Sequence, residues 1–311
     1  MPYAALDVGS NSVRLLVGDV AGGRPSPRLY ERVATRLSAG LDATGALGEA
    51  PMQRTIEALR GFRRIVEAEG ASVINAAGTS ALREASDANA FLDRVKAETG
   101  FDVRVISGLE EARLTALGVV AALDPMPAAA LILDIGGGSA EMALLKGSDL
   151  IASVTEPVGA VRLIERHIKS DPPARAELDA LRAECDAAAR RFRDALWPES
   201  VPLGPRLIGT AGTMTTIAAM DLGLERYERR RIHGHTASVG RLREIWGRIT
   251  AVPLRERQLI KGLEPDRSDL IMAGLTLTIC LMETFGLEDL LISDSGLLEG
   301  LLIEIPRGVG N

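Results

Sequence analysis

The sequence predicts a duplicated two-domain α/β protein, and three observations lead there. The chain has 311 residues, beyond the length at which a single core usually stops growing. A glycine-rich segment, Asp7-Val8-Gly9-Ser10-Asn11-Ser12, returns as Asp134-Ile135-Gly136-Gly137-Gly138-Ser139 with Asp, Gly and Ser in register. Around each copy, short apolar runs alternate with stretches of helical periodicity, the pattern of an α/β chain.

In the first half, Tyr3 to Leu6 and Val13 to Val17 read as strands on either side of a tight turn. A helix follows over Pro51 to Ala68, where Ile56, Leu59, Phe62, Ile65 and Val66 recur at helical spacing. A strand at Ser72 to Ala77, a helix at Asp87 to Glu98, a strand at Val103 to Ile106 and a helix at Leu109 to Leu123 complete this half. Asp124-Pro125-Met126-Pro127 then interrupts the pattern, which places the domain boundary there, with the first domain over 1–124 and the second from 125 to 296.

The second half repeats the scheme. Ala128 to Leu133 and Met142 to Leu145 flank the second glycine turn, and a further strand is expected at Ile151 to Val154. Helices are predicted over Val161 to His167 and Arg175 to Trp197, and a strand at Arg206 to Ile208 enters the small-residue loop Gly209-Thr210-Ala211-Gly212-Thr213. Two domains of this kind imply a ligand cleft between them.

Composition narrows the function classes. An aromatic share of 3% offers no stacking platform for bases, and a formal charge of -6 gives no general attraction to polyanions, so nucleic acid is not an expected partner. The longest apolar stretch, Ile271 to Met282, is too short to span a bilayer and carries Thr276 and Thr278. Cys185 and Cys280 match no metal or redox spacing, and His167, His233 and His235 form no zinc-type set. A cytoplasmic location without membrane attachment is the expectation.

The repeated turns carry the chemistry. A glycine-rich turn presents successive backbone N–H groups unobstructed by side chains, making a nest for phosphate oxygens, so Gly9, Ser10, Asn11 and Ser12 and Gly136, Gly137 and Gly138 are phosphate-binding candidates. Asp7, ending the first strand, can hold a hydrated metal beside that phosphate. The loop at Gly212 and Thr213 is a third candidate contact, although a close strand-to-helix crossing also demands small residues. Arg83 follows a predicted strand and can fork around phosphate oxygens. The cluster Arg226, Arg229, Arg230 and Arg231 reads equally as a solvated loop, a substrate rim or a partner surface.

On these residues the sequence closely resembles the exopolyphosphatase and guanosine pentaphosphate phosphohydrolase family. The resemblance runs in order through the first turn, Thr35-Arg36-Leu37, Ala77-Gly78-Thr79-Ser80-Ala81-Leu82-Arg83 and Ser107-Gly108-Leu109-Glu110-Glu111-Ala112-Arg113. It continues through the second turn with Ala140-Glu141, the Gly209 to Thr213 loop and Ser293-Asp294-Ser295-Gly296. It implies an actin-like (ribonuclease H-like) fold in which the final helix, 297–311, returns to the first domain. It further implies that Glu111 activates water, that Asp134, Ser139 and Glu141 help bind metal and phosphate, and that Arg83 contacts phosphate.

The implied activity is release of terminal phosphate from polyphosphate or guanosine pentaphosphate with Mg2+ as cofactor, by a homodimer. The net acidic chain predicts a preference for short polyphosphate. Three positions depart from the family pattern: Ala140 where Thr is common, Ser38 where Gly follows Thr-Arg-Leu, and Leu298 where Arg often precedes Glu299-Gly300. The competing readings are an actin-like phosphotransferase and a nucleotide-sensing or filament-forming protein without useful turnover.

Overall fold

The structure, a computed structural model, describes residues 2–196 and 204–308 and divides into two compact units, Met1–Asp124 with Ser295–Asn311, and Pro125–Asp294. The predicted helix end at Trp197 and the last residues of the predicted final helix, 309–311, lie outside the described residues.

The first unit is a five-stranded sheet with helices. Its strands are β1 (Tyr3–Val8), β2 (Ser12–Ala21), β3 (Arg24–Ala34), β4 (Val73–Gly78) and β5 (Arg104–Val105), in the order β3-β2-β1-β4-β5. Its helices are α1 (Leu41–Thr44), α2 (Glu49–Ala68), α3 (Ser80–Glu84), α4 (Ala88–Thr99), α5 (Gly108–Ala122) and the last helix of the chain, Leu297–Gly308. Strand β1 is central and almost wholly buried, parallel to β4 and antiparallel to β2. Strand β3 carries Pro25 and Pro27, which the sheet tolerates because β3 is its edge. Helix α2 buries Ile56, Leu59, Phe62 and Val66, four of the five positions its periodicity singled out, and Ile65 is half-buried against the same core.

The last helix packs Leu297, Leu301 and Leu302 with Ala5, Leu16 and Leu114. It approaches α5 so closely that a Cβ on Gly118 would lie 2.0 Å from the Gly296 carbonyl oxygen, and one on Gly300 would lie 1.9 Å from that of Leu114. Glycine at both positions permits the backbone contact.

The second unit has six strands: β6 (Ala129–Ile135), β7 (Ala140–Lys146), β8 (Asp149–Glu156), β9 (Arg206–Thr210), β10 (Thr236–Ser238) and β11 (Asp289–Ile292). Their order is β10-β11-β9-β6-β7-β8. The helices are α6 (Ala160–His167), α7 (Arg175–Leu196), α8 (Ala211–Asp221), α9 (Arg229–Ile232), α10 (Val239–Thr250), α11 (Leu254–Arg257) and α12 (Ile271–Phe285), with a 3-10 turn at Pro265–Arg267. The last helix of the chain, described with the first unit, is α13.

Helix α12 is buried through Met282, which accounts for its apolar sequence; no helix among the described residues is long and apolar enough to cross a membrane. Cys185 on α7 and Cys280 on α12 are free and buried. A hydrogen bond with the neighbouring Cys185 thiol, and burial, push the Cys280 thiol well above the ordinary cysteine range.

The two sheets share a plan. In each, a glycine turn joins two antiparallel strands, a third strand extends the meander, and a later strand pairs in parallel with the first: β4 with β1, β9 with β6. The order β3-β2-β1-β4-β5 returns as β8-β7-β6-β9-β11, with β10 added at the edge. This is the duplicated α/β fold that the repeat predicts, of the actin-like kind that the family resemblance implies.

Candidate active site

In the first unit, the candidate residues gather at the carboxyl ends of β1, β4 and β5, where ligands of α/β sheets usually bind. Gly9 N–H donates to the Ser12 carbonyl at 3.1 Å and closes the turn. The Asn11 carbonyl accepts from Thr35 N–H at 3.0 Å and Arg36 N–H at 2.8 Å, and the Ser10 carbonyl accepts from Ser38 N–H at 3.0 Å. In a trans peptide the carbonyl and the following N–H point in opposite directions. Tying the Ser10 and Asn11 carbonyls to loop 35–38 therefore aims the Asn11 and Ser12 N–H groups away from that loop.

Asp7, at the end of β1, is 2% exposed. Arg14, its cross-strand partner on β2, donates to Oδ2 through Nε at 2.7 Å and Nη2 at 2.6 Å. Oδ1 is buried and makes no hydrogen bond among the described residues. A Cβ on Gly9 would lie 3.6 and 3.8 Å from the two carboxylate oxygens, so glycine keeps the space beside the carboxylate open.

Arg83 and Glu111 meet although 28 residues separate them. Strand β4 ends at Gly78, whose Cβ would lie 2.5 Å from Leu82 Cδ1, so glycine leaves room for the Leu82 side chain where α3 turns back. That places Arg83 with Nη1 donating at 2.7 Å to Glu111 Oε2 and at 3.0 Å to the Ile106 carbonyl. Ser107 caps α5 by accepting from Glu110 N–H, which sets Glu110 and Glu111 in its first turn. Glu111 is 7% exposed, whereas Glu110 turns outward to pair with Arg104.

In the second unit, the Gly136 carbonyl accepts from Ala160 N–H at 2.9 Å. The Gly137 carbonyl accepts from Val161 and Arg162 N–H, and that of Gly138 from Gly159 N–H and Arg162 Nε. All three carbonyls are held by the start of α6, so the N–H groups of Gly137, Gly138 and Ser139 are aimed to the other side. Gly159 makes this possible, since its Cβ would lie 2.3 Å from the Gly137 carbonyl carbon.

Asp134 is buried and stands in register between Glu141 on β7 and Thr210 on β9. Ser139 Oγ donates to Glu141 Oε1 at 2.6 Å, and Thr155 Oγ1 donates to the same oxygen at 2.9 Å. In the third loop, Ala211 adopts a left-handed φ of 64°. Arg267 donates from Nη1 to the Gly212 carbonyl at 2.7 Å, and a Cβ on Gly212 would lie 2.9 Å from the guanidinium carbon. The Thr213 side chain rests against α12 where Gly274 leaves room.

The pattern of the Ppx/GppA phosphatase family matches residues 16–307. The chain belongs to this family.

Among its relatives, Exopolyphosphatase 2 of Mycobacterium tuberculosis is 31% identical over 315 residues, 97% of this chain and 98% of that protein. The guanosine-5'-triphosphate,3'-diphosphate pyrophosphatase of Aeromonas salmonicida is 29% identical over 302 residues, 96% of this chain but 58% of that protein. The crystal structure of the Aquifex aeolicus member of the Ppx/GppA family superposes with a TM-score of 0.82 at 29% identity, covering 100% of this chain and 99% of that one. An exopolyphosphatase from Cytophaga hutchinsonii gives a TM-score of 0.90 at 27% identity, covering 99% and 98%.

Four residues of this Ppx/GppA chain that contact the candidate residues were not singled out by sequence: Arg14 in the first unit, and Thr155, Arg162 and Arg267 in the second. Arg14 and Thr155 lie on strands beside Asp7 and Glu141, a relation visible only once β1–β2 and β7–β8 are aligned. Arg162 and Arg267 reach backbone carbonyls 24 and 55 residues away, for which no local pattern exists. Of the basic cluster, Arg229 pairs with Asp294 at 2.7 Å and Arg231 with Glu228 at 3.1 Å.

Proposed function

We propose that the protein is a phosphoanhydride hydrolase that releases terminal phosphate from inorganic polyphosphate, from guanosine pentaphosphate, or from both. The names of the Mycobacterium tuberculosis and Aeromonas salmonicida relatives support this substrate class. The observation that carries the reading is the buried Glu111 carboxylate, held by Arg83 at the first turn of a helix, at the same end of the sheet as the Gly9–Ser12 turn. A sensor has no need for a positioned base of this kind, and a phosphotransferase would use one on an acceptor hydroxyl rather than on water.

In the reaction proposed, Glu111 orients water and accepts its proton as the water oxygen bonds to the terminal phosphorus and the bridging P–O bond breaks. The shortened chain leaves with the bridging oxygen. Arg83 holds the carboxylate in one position, and the helix N-terminus favours its negative charge. In the first unit the N–H groups of the Gly9–Ser12 turn are proposed to bind non-bridging oxygens, which carry more charge in the transition state; in the second unit those of Gly136–Ser139 and of the Gly212–Thr213 loop are proposed as phosphate-binding groups.

Among the described residues, no group of three or more His, Cys, Asp or Glu forms a metal cage. The open space beside Asp7 and its buried Oδ1 fit a hydrated Mg2+, an ion that usually takes one or two carboxylates plus water and substrate phosphates. Asp7 in the first unit, and Asp134 and Glu141 in the second, are the carboxylates proposed for metal binding; a bound ion would offset phosphate charge.

Phosphate release from polyphosphate, from guanosine pentaphosphate and from ATP with a small acceptor, each with and without Mg2+, tests the reading. Release that requires an acceptor would overturn it in favour of a phosphotransferase. The preference for short polyphosphate is read from the same assay as a function of chain length and salt. The buried free thiols support a cytoplasmic location, and sedimentation velocity tests the expected homodimer.

A further inference from the structure

Four side-chain oxygens in the first unit share an unusual state. Ser10 Oγ, Asn11 Oδ1, Thr35 Oγ1 and Ser38 Oγ are all buried and make no hydrogen bond among the described residues. Ser10 is 3% exposed, Thr35 0% and Ser38 7%. Burying one hydroxyl without a partner costs about 1–3 kcal/mol, so a group of three in one loop cluster is sustained only where something completes them.

The cluster is built rather than incidental. Loop 35–38 is tied to the Ser10–Asn11 peptides by the three backbone hydrogen bonds described above. Arg54, on α2, holds it from behind, donating to the Thr35 carbonyl through Nε at 3.2 Å and Nη2 at 3.1 Å. Arg36 takes a left-handed φ of 52°, a strained conformation for a residue with a side chain. The hydroxyls are thus pre-positioned beside the first glycine turn before any ligand arrives.

We propose that Ser38 is a substrate-contacting residue, which with Ser10 and Thr35 forms a hydroxyl subsite donating hydrogen bonds to non-bridging phosphoryl oxygens. This rests on the phosphohydrolase reading above and extends its phosphate site by a segment outside both glycine turns. Each hydroxyl brings a proton that an anionic oxygen accepts, whereas the acceptor-only Asp7 Oδ1 suits water or a hydrated cation. The two chemistries are divided between neighbouring groups.

The test is calorimetric binding of tripolyphosphate and of inorganic phosphate to the wild-type protein, Ser38→Ala and Ser38→Gly, with melting temperatures measured without ligand. Both variants should bind tripolyphosphate about tenfold more weakly, the scale of one hydrogen bond to a charged group. Ser38→Ala should also melt at the same or a higher temperature, because it removes an unsatisfied buried hydroxyl. A fall in melting temperature with unchanged binding would make Ser38 structural and overturn the subsite. Equal binding and equal melting would assign the hydroxyl to water alone and overturn it too. A wild-type protein that binds neither ligand would overturn the phosphohydrolase reading with the subsite, whereas binding kept by both variants would overturn the subsite only.

Discussion

Arg83 Nη1 lies 2.7 Å from Glu111 Oε2 and 3.0 Å from the Ile106 carbonyl, so one guanidinium ties α3 to the residue after β5 and to the first turn of α5. Glu111 is therefore a carboxylate with a fixed position, and the adjacent Glu110 is not: it faces outward to Arg104. Glu111→Gln should retain binding and fold while turnover falls about a hundredfold or more, the scale for losing a positioned acid–base group. Glu110→Gln should change turnover little. Steady-state rates and substrate binding for both variants check the assignment, and near-normal turnover in Glu111→Gln removes it as the base.

Arg83→Ala should lower kcat by about ten- to a hundredfold, because the carboxylate loses its brace and the phosphate a candidate contact. Arg83→Lys should recover part of the loss, since an ammonium replaces the charge but not the fork that meets Glu111 and the Ile106 carbonyl together. An Arg83→Lys enzyme as slow as Arg83→Ala would mean that geometry, not charge, dominates. Rates at saturating substrate distinguish the two.

The Asp7–Arg14 pair predicts a stability effect. Arg14→Met leaves the buried Asp7 carboxylate without its charge partner, which should destabilise the protein by an amount in the lower part of the roughly 3–5 kcal/mol range for broken buried pairs, because Arg14 is 20% exposed. Asp7→Asn in the same chain should restore much of the loss. Urea unfolding of the two single variants and the double variant measures the coupling, and strictly additive effects would contradict it.

Gly300→Ala should be among the most damaging single-methyl additions, since the new Cβ would lie 1.9 Å from the Leu114 carbonyl oxygen, a backbone atom that cannot rotate aside. Separating α13 from α5 exposes packed apolar surface, and a cost of about 3 kcal/mol or more is expected. Gly45→Ala, with nothing within 4 Å, is the steric comparison, its own cost coming from a φ of +71°. Melting temperatures decide it.

Glu177 predicts a pH dependence. The Ser170 hydroxyl, followed by the backbone N–H groups of Ala174, Lys169 and Ser170, donates to its carboxylate and holds it below the ordinary glutamate range. A carboxylate with a depressed folded value contributes stability that is fully present above the unfolded value of about 4.3 and is lost as pH falls through the folded one. Glu177→Gln should therefore cost stability at pH 7 and progressively less as pH falls below the unfolded value. Melting temperatures of both proteins across that range should converge toward acid.

What the sequence by itself determined is what local chemistry determines. Glycine, Asp and Ser repeated at one spacing announce two turns after two strands, because tight turns are specified by the few residues they contain. The periodicity of α2 announces its buried face in the same way. The weaker signals were lost: β3 carries two prolines and an exposed face, β10 has three residues and β11 four, too short for any periodicity to register.

Only the tertiary structure decided the partners. Asp7 and Asp134 occupy equivalent positions in the two sheets, yet the residue seven positions on across the ladder is Arg14 in one and Glu141 in the other. The repeat is therefore alike in backbone and opposite in charge. Glu111 likewise reads as one acid beside another until β4, β5 and the Gly78 turn bring Arg83 to it. A turn is encoded within a few residues, but a charge pair or a buried hydroxyl cluster depends on strand pairing between segments far apart in the chain.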